Sequence, residues 1–372
     1  MTFQHLAVRP RLDALTGARG PAALMVFAQH AGESGFLPFV VPSSLAVSFF
    51  FILSGFVLAY AYFNDRSFGL PFYKARFARI WPSTMLSIVL VLLILPRQVY
   101  LPQQLDECFS GLVFLTNVLL LQSIIPIPDF YFALNAVAWS ISVECCFYLV
   151  FPALNRLLKL HGFRALLLVA LIGFLLTGFS LQLRWPAFDA SALAQPTWHG
   201  VVYINPVTRL FEFSLGVLAG QLWIKTDRCL SKKKITSFLH FEMKAWLISL
   251  VEILMIIGLI FLLYQSAQFF SGYETSYFAP FYLLLIQWGS SLPLLFIIVL
   301  LAGRQGFFTQ FIMCHPIMLR LGELSFGIYL FHQPLMRWLQ SNLYSATSDA
   351  GLIKAVPEWS YVFVLLFITI CL

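Results

Sequence analysis

The sequence predicts an all-α polytopic membrane protein, and three observations carry that prediction. Of 372 residues, 60% are hydrophobic and only 10% are charged, against about 25% charged in ordinary soluble domains. Apolar runs long enough to cross a hydrocarbon core of about 30 Å recur along the whole chain. Basic residues gather between some of those runs and are scarce between others, the asymmetry that orients membrane helices. The aromatic content of 17% suits lipid-facing surfaces and interfacial belts. No polar stretch is long enough for a soluble domain. The chain therefore reads as one integral-membrane domain over residues 1–372, with its distinctive residues concentrated in 11–150.

The expected spans are 20–36, 44–63, 80–96, 134–154, 165–183, 203–224, 245–265, 281–302, 321–341 and 357–372. The last ends in Ile368-Thr369-Ile370-Cys371-Leu372 with no polar tail, as if cut short. Basic clusters fall at Arg9 and Arg11, at Lys74-Arg76-Arg79, at Arg156-Lys159-Arg164, at Lys225-Arg228-Lys232-Lys233-Lys234 and at Arg304-Arg320. If each lies on the cytoplasmic side, an even number of crossings separates successive clusters. Between Lys74-Arg79 and Arg156-Arg164 there are three apolar runs: 80–96, 108–125 and 134–154. One of them does not cross. The weakest is 108–125, which ends in Ile-Ile-Pro-Ile-Pro and is expected to be re-entrant or interfacial. That leaves about ten transmembrane helices with both termini cytoplasmic. The net charge of +7 is accounted for by the loop clusters, so it sets topology and gives no reason to expect nucleic acid as a partner.

In the first span, Arg19, His30 and Glu33 share one stripe. Eleven steps of about 100° return His30 to nearly the azimuth of Arg19, and Glu33 is one turn beyond. A charge at the bilayer centre costs at least about 2.5–3.5 kcal/mol, so such residues face a protein interior or a wet cavity. A cation, a titratable imidazole and a carboxylate on one wall suit a reaction chamber. The plainer alternative makes Arg19 a membrane-end anchor and His30 a hydrogen-bonded packing residue. In the second span, Ser54-Gly55 interrupts a run of bulky residues and is read first as a close-packing point. Arg76 and Arg79 are three apart, so both guanidiniums face one direction. They suit either phosphate groups or lipid headgroups.

Farther on, Trp139-Ser140-Ile141-Ser142-Val143-Glu144 brings three polar side chains into a span. Glu144 has no basic neighbour at helical spacing, so its partner is expected from another helix, His30 or an arginine. Arg209 and Glu212 read as a self-satisfying structural pair. Glu323, Tyr329 and His332 are weaker candidates for the same chamber. The six cysteines show no paired spacing, and adjacent Cys145-Cys146 reads as packing, not as a disulfide or metal site. Arg9, Arg11, Asp13 and Arg19 interrupt any hydrophobic core before residue 20, so no cleavable signal is expected. The absence of a Walker loop and of a His-Glu-x-x-His site gives ATP hydrolysis and zinc-protease chemistry no support.

Taken in order, these motifs resemble the membrane acyltransferase-3 family of bacterial integral-membrane O-acyltransferases. The likeness runs from about residue 11 to 340. It is carried by Arg19-x10-His30, Phe49-Phe-Phe-Ile-Leu-Ser-Gly-Phe, Arg76-x-x-Arg79 before Trp81-Pro82, and Trp139-Ser-Ile-Ser-Val-Glu144 leading into Phe147-Tyr-Leu. Arg209-x-x-Glu212-Phe and Leu324-Ser-Phe-Gly-Ile-Tyr-Leu-Phe-His332 are similar to its later markers. Two departures stand out: the opening before Arg19 is loosened, and Cys145-Cys146 replaces the polar pair often found after the glutamate.

The resemblance implies transfer of an acyl group, commonly acetyl, from a cytoplasmic acyl donor to a hydroxyl of a cell-envelope or exported glycan. It places the protein in the bacterial cytoplasmic membrane among its lipids, with no permanently bound cofactor and acetyl-CoA as donor substrate. His30 is then the expected general base or transient acyl carrier, with Glu33 or Glu144 orienting it. Arg19, Arg76 and Arg79 are expected to hold the phosphates of coenzyme A. His30 lies about 16 Å along the helix from Arg19, comparable with an extended pantetheine arm. Trp139, Ser140 and Ser142 are expected to line the path of the acceptor, for which a lipid-linked saccharide is favoured. A glycan or lipid transporter using the polar chamber as a proton relay is the alternative from another class.

Overall fold

A computed structural model describes residues 11–38, 43–63, 68–101, 107–187, 195–233, 245–273, 277–303 and 306–349. Its first helices are α1 (Asp13–Glu33), α2 (Ser44–Ala61) and α3 (Leu70–Ile94), followed by a single turn α4 (Arg97–Tyr100) and a short α5 (Glu107–Val118). A second single turn α6 (Pro128–Tyr131) leads to α7 (Trp139–His161), α8 (Phe163–Gln182), α9 (Pro206–Lys233), α10 (Ala245–Tyr273), α11 (Ala279–Gly303) and α12 (Pro316–Asp349). Nine of the ten expected spans coincide with long helices; the tenth, 357–372, lies outside the described residues. Among the described residues, six helical segments are both long and apolar enough to cross a membrane, built on α2, α3, α7, α8, α9 and α11. Helices α1 and α12 fall short of that apolarity because they carry the chain's polar signature residues.

The boundaries move at both ends, and two early helices start sooner than expected while α7 and α9 start later. Helix α1 begins at Asp13 and α3 at Leu70, earlier than the apolar pattern suggested, because amphipathic first turns extend beyond the hydrocarbon-length run. Arg19, Arg76 and Arg79 thereby lie within helices and have fixed azimuths.

The segment 108–125 does not cross. Helix α5 has 12 residues, about 18 Å of rise against the ~30 Å required. The turn that follows it closes at Leu120, whose φ of 56° is left-handed, with the Leu120 and Leu121 amides donating back to Asn117 and Thr116. The returning chain is then pinned on three sides. Asn117 Nδ2 donates to the Val113 and Phe130 carbonyls, Trp81 Nε1 to Val118, and the Ser123 amide to Ser142 Oγ at 3.2 Å.

Two parallel helix pairs form the frame. Helices α2 and α9 meet backbone to backbone: a Cβ on Gly216 would stand 2.0 Å from the Ile52 carbonyl oxygen, and one on Gly55 2.2 Å from that of Phe213. Helices α1 and α12 do the same, with a Cβ on Gly322 falling 1.8 Å from the Thr16 oxygen. Small residues let membrane helices approach this closely. Around the first pair, Phe51, Phe147, Phe151 and Phe213 interlock, Phe147 and Phe213 stacking at 4.6 Å. The basic residues of α1, of the α3 start and of the α7–α8 turn gather at one end of this frame, where Lys159 Nζ donates to the carbonyl of Phe63 at the close of α2.

Candidate active site

Two cavities lie along α1, one at each end. The larger, about 650 Å³, is at the basic end and is lined by Arg11, Arg19, Arg76 and Arg79 against a single carboxylate, Glu144. Its arginines come from three places: the lead into α1, α1 itself, and one face of α3. The guanidinium of Arg76 lies over the rings of Tyr62 and Tyr148, 5.8 Å from each centroid, which fixes its plane. Arg11 donates to Glu323 at 2.6 Å across the mouth. The walls farther in are apolar, built from Val47, Phe50, Leu53, Val57 and Ile141. An anion-binding entrance followed by an apolar channel fits a phosphate-rich head and a slender tail.

Glu144 belongs to this cavity. Its Oε1 accepts from Ser54 Oγ at 3.1 Å and from the Tyr148 hydroxyl. The expectation that it orients His30 is therefore corrected: the glutamate faces the arginines because α7 starts near the far end of the frame and descends towards the basic end. The Ser54-Gly55 pair divides its roles, Gly55 packing on α9 while Ser54 lines the cavity.

The second cavity, about 400 Å³, lies at the opposite end of α1 and is lined by His30, Glu33, Trp139, Asp129, Gln333 and Arg337 among others. His30 Nδ1 is 3.1 Å from the Val26 carbonyl and 2.9 Å from His332 Nε2. His332 is fully buried, and its Nδ1 is 2.9 Å from the Ile328 carbonyl. Carbonyl oxygens only accept, so each Nδ1 carries the hydrogen. His332 Nε2 is then the acceptor for His30 Nδ1–H. That leaves His30 Nε2 unprotonated and without a hydrogen-bond partner among the described residues. Two carbonyls thus set both tautomers and present a base.

Neither glutamate orients that base by hydrogen bonding. Glu33 shares the cavity with His30 but accepts from Gln29 Nε2 at 2.6 Å. The side chain that meets His30 Nδ1 is an imidazole from α12. The sequence contained only the signal Tyr329-Leu-Phe-His332, whose helical spacing gives no hint of a partner 302 residues away.

Helices α7 and α12 contribute to both cavities. Ser140 and Tyr329 line the arginine cavity, while their near neighbours Trp139 and Gln333 line the other. The Ser140 and Tyr329 hydroxyls are 2.6 Å apart. Ser142 lines neither cavity. It is fully buried, 2.7 Å from the Ser123 hydroxyl and donating to the Leu120 carbonyl at 2.8 Å. Its expected place on the acceptor path is replaced by a structural one, holding the re-entrant turn against α7. Arg209 and Glu212 pair with each other, as their spacing suggested. Both are completely buried, paired at 3.0 Å, with Ser48 Oγ donating to Glu212 and Arg209 Nε donating to the Tyr203 carbonyl.

Known proteins match between 22% and 89% of this chain. A family model described as an acyltransferase domain, acyltransferase 3, matches residues 12–372. The chain is similar to Acyltransferase MdmB of Streptomyces mycarofaciens, 34% identical over 226 residues, which are 56% of each protein. It is similar to O-acetyltransferase OatA of Staphylococcus aureus, 23% identical over 351 residues, 89% of this chain and 51% of OatA. It also resembles Protein 2 in picA locus of Rhizobium radiobacter, 45% identical over 85 residues, 22% of this chain and 44% of that protein. The chain spans about half the length of the curated relatives it matches. No solved structure matches. With a family model covering all but its first residues, over a helical frame that carries the motifs in order, the chain belongs to the acyltransferase-3 family of membrane proteins.

Proposed function

We propose that this protein is an acyl-CoA-dependent O-acyltransferase that moves an acetyl group from acetyl-CoA to a hydroxyl of a cell-envelope or exported glycan, in the cytoplasmic membrane. The observation that carries this reading is the tautomer-locked His30–His332 pair, set beside a cavity lined by four arginines. The arginines Arg19, Arg76 and Arg79 hold the donor's phosphates, and the apolar channel takes the pantetheine arm. His30 Nε2 accepts the proton of the acceptor hydroxyl as its oxygen attacks the thioester carbon. The C–S bond breaks, and the departing thiolate of coenzyme A takes that proton from the imidazolium. During the attack His30 Nδ1–H donates to His332, which steadies the cation. The hydroxyls of Ser140 and Tyr329, bonded to each other and to the Val137 carbonyl, stand at the wall between the two cavities. Basic clusters at the arginine end support a cytoplasmic donor side.

The test is coenzyme A release from acetyl-CoA by purified protein in nanodiscs, with and without a crude lipid-linked glycan extract. Wild type releases it in a glycan-stimulated manner, His30→Ala does not, and Arg76→Ala needs more acetyl-CoA for half-maximal rate. Activity surviving in folded His30→Ala refutes the base assignment. No release by folded wild type returns the transporter alternative.

A further inference from the structure

The cavity at the far end of α1 contains charges that the protein itself does not pair. Asp129 is 4% exposed and lines the cavity, yet no hydrogen bond or ion pair reaches its carboxylate among the described residues. Its carboxylate therefore faces the cavity space, where a hydrogen-bond donor would complete it. Arg337, half-buried on α12 one turn beyond Gln333, likewise has no ion-pair or hydrogen-bond partner among the described residues. Gln333 uses its Oε1 to accept from the Val137 amide at 3.1 Å, which leaves its amide hydrogens for something else. Trp139 adds an aromatic face, and His30 adds the base. A ligand that donates to a carboxylate, accepts from an arginine and an amide, and lays an apolar face on an indole completes this set.

We propose that this cavity is the acceptor site, and that Asp129, Gln333 and Arg337 hold in it a neutral, polyhydroxylated sugar ring whose reactive hydroxyl is presented to His30. The inference rests on the acyltransferase reading and adds to it the place and charge class of the acceptor. Two carboxylates, Glu33 and Asp129, face one arginine here, the reverse of the four-to-one excess of cations in the other cavity. The charge reversal sorts the substrates. A phosphate-rich donor is repelled from the far cavity, while a neutral polyol satisfies both signs, since each hydroxyl donates and accepts. A ring bearing a carboxylate would meet two like charges. Asp129 is brought there by the re-entrant turn of α6 and Gln333 and Arg337 by α12, so the site is assembled by the same helix that positions His332.

The test compares wild type, Asp129→Asn and Arg337→Gln in nanodiscs, with the crude lipid-linked glycan extract as acceptor and acetyl-CoA as donor. In both variants the extract needed for half-maximal coenzyme A release rises about tenfold or more, as expected for one lost charged contact, while half-saturating acetyl-CoA is unchanged. In wild type, neutral methyl hexosides inhibit transfer at lower concentration than methyl hexuronides. Arg337→Gln lies at a half-exposed position and remains informative if Asp129→Asn fails to fold. Unchanged acceptor saturation in the folded variants, a shift confined to acetyl-CoA, or equal or stronger inhibition by hexuronides overturns the acceptor site. Absence of glycan-stimulated release in wild type overturns instead the acyltransferase reading beneath it.

Discussion

Replacing His332 with leucine isolates the contribution of the second imidazole. His30 Nδ1–H has two acceptors, His332 Nε2 at 2.9 Å and the Val26 carbonyl at 3.1 Å. The substitution deletes the first and keeps the second, so no buried donor is orphaned and the fold is expected to survive. The loss falls on the transition state, where His30 is an imidazolium. A hydrogen bond from a charged donor is worth about 1.5–3 kcal/mol. At about 1.4 kcal/mol per decade, kcat drops roughly 10- to 150-fold. The assay is glycan-stimulated coenzyme A release, with donor and acceptor saturation measured separately and folding checked by thermal melting in detergent. Both half-saturating concentrations stay at the wild-type values, and His332→Gln, which restores an acceptor oxygen, recovers most of kcat. Wild-type kcat in a folded His332→Leu protein would refute the positioning role. A loss as complete as that of His30→Ala would refute it too, since His332 would then be the base.

Three further substitutions separate framework from chemistry. Gly216→Ala drives a methyl into the Ile52 carbonyl and should cost about 1–3 kcal/mol or more of stability, seen as a lower melting temperature; an unchanged melt would mean that α2 and α9 do not meet as described. Glu212→Ala leaves Arg209 buried without its partner, an expected loss of about 3–5 kcal/mol; a stable but inactive protein would instead place the pair in the reaction. Ser142→Ala removes the hydroxyl that holds the re-entrant turn, costing about 1–2 kcal/mol with kcat preserved, whereas lost activity at unchanged stability would return Ser142 to the acceptor path.

What could be read from the sequence was whatever has a local signature. Helical spacing put Arg19 and His30 on one stripe, and Arg76 with Arg79 on one face, and all four line the two cavities. Charge parity singled out 108–125 as the run that does not cross, and α5 is too short to do so. What escaped was pairing between helices. Nothing near Glu144 shows that α7 runs away from His30 towards the arginines, because the azimuth of a residue says nothing of its depth relative to another helix. The partner of His30 depends on α1 and α12 lying parallel through close glycine contacts, and glycines that permit such an approach look like any others in a membrane sequence. Ser140 and Ser142 lie two positions apart in sequence and about 200° apart in azimuth, which puts one on the cavity wall and the other against the re-entrant turn. Asp129 drew no attention because a carboxylate beside prolines in a short loop is ordinary until its burial is seen.

The distance of 302 residues between the two histidines has a consequence for how the protein is made. Helix α1 emerges first from the ribosome and α12 last among the described helices, and every helix between them enters the membrane while His30 still lacks its partner. A nascent chain therefore carries Arg19, Arg76 and Arg79 long before His30 gains its His332 partner. On the proposed mechanism, the His30–His332 pair forms only when α12 docks on α1. Produced as two co-expressed fragments divided in the α9–α10 connection, the protein would regain turnover only on reassembly, which makes the histidine pair a reporter of completed membrane folding.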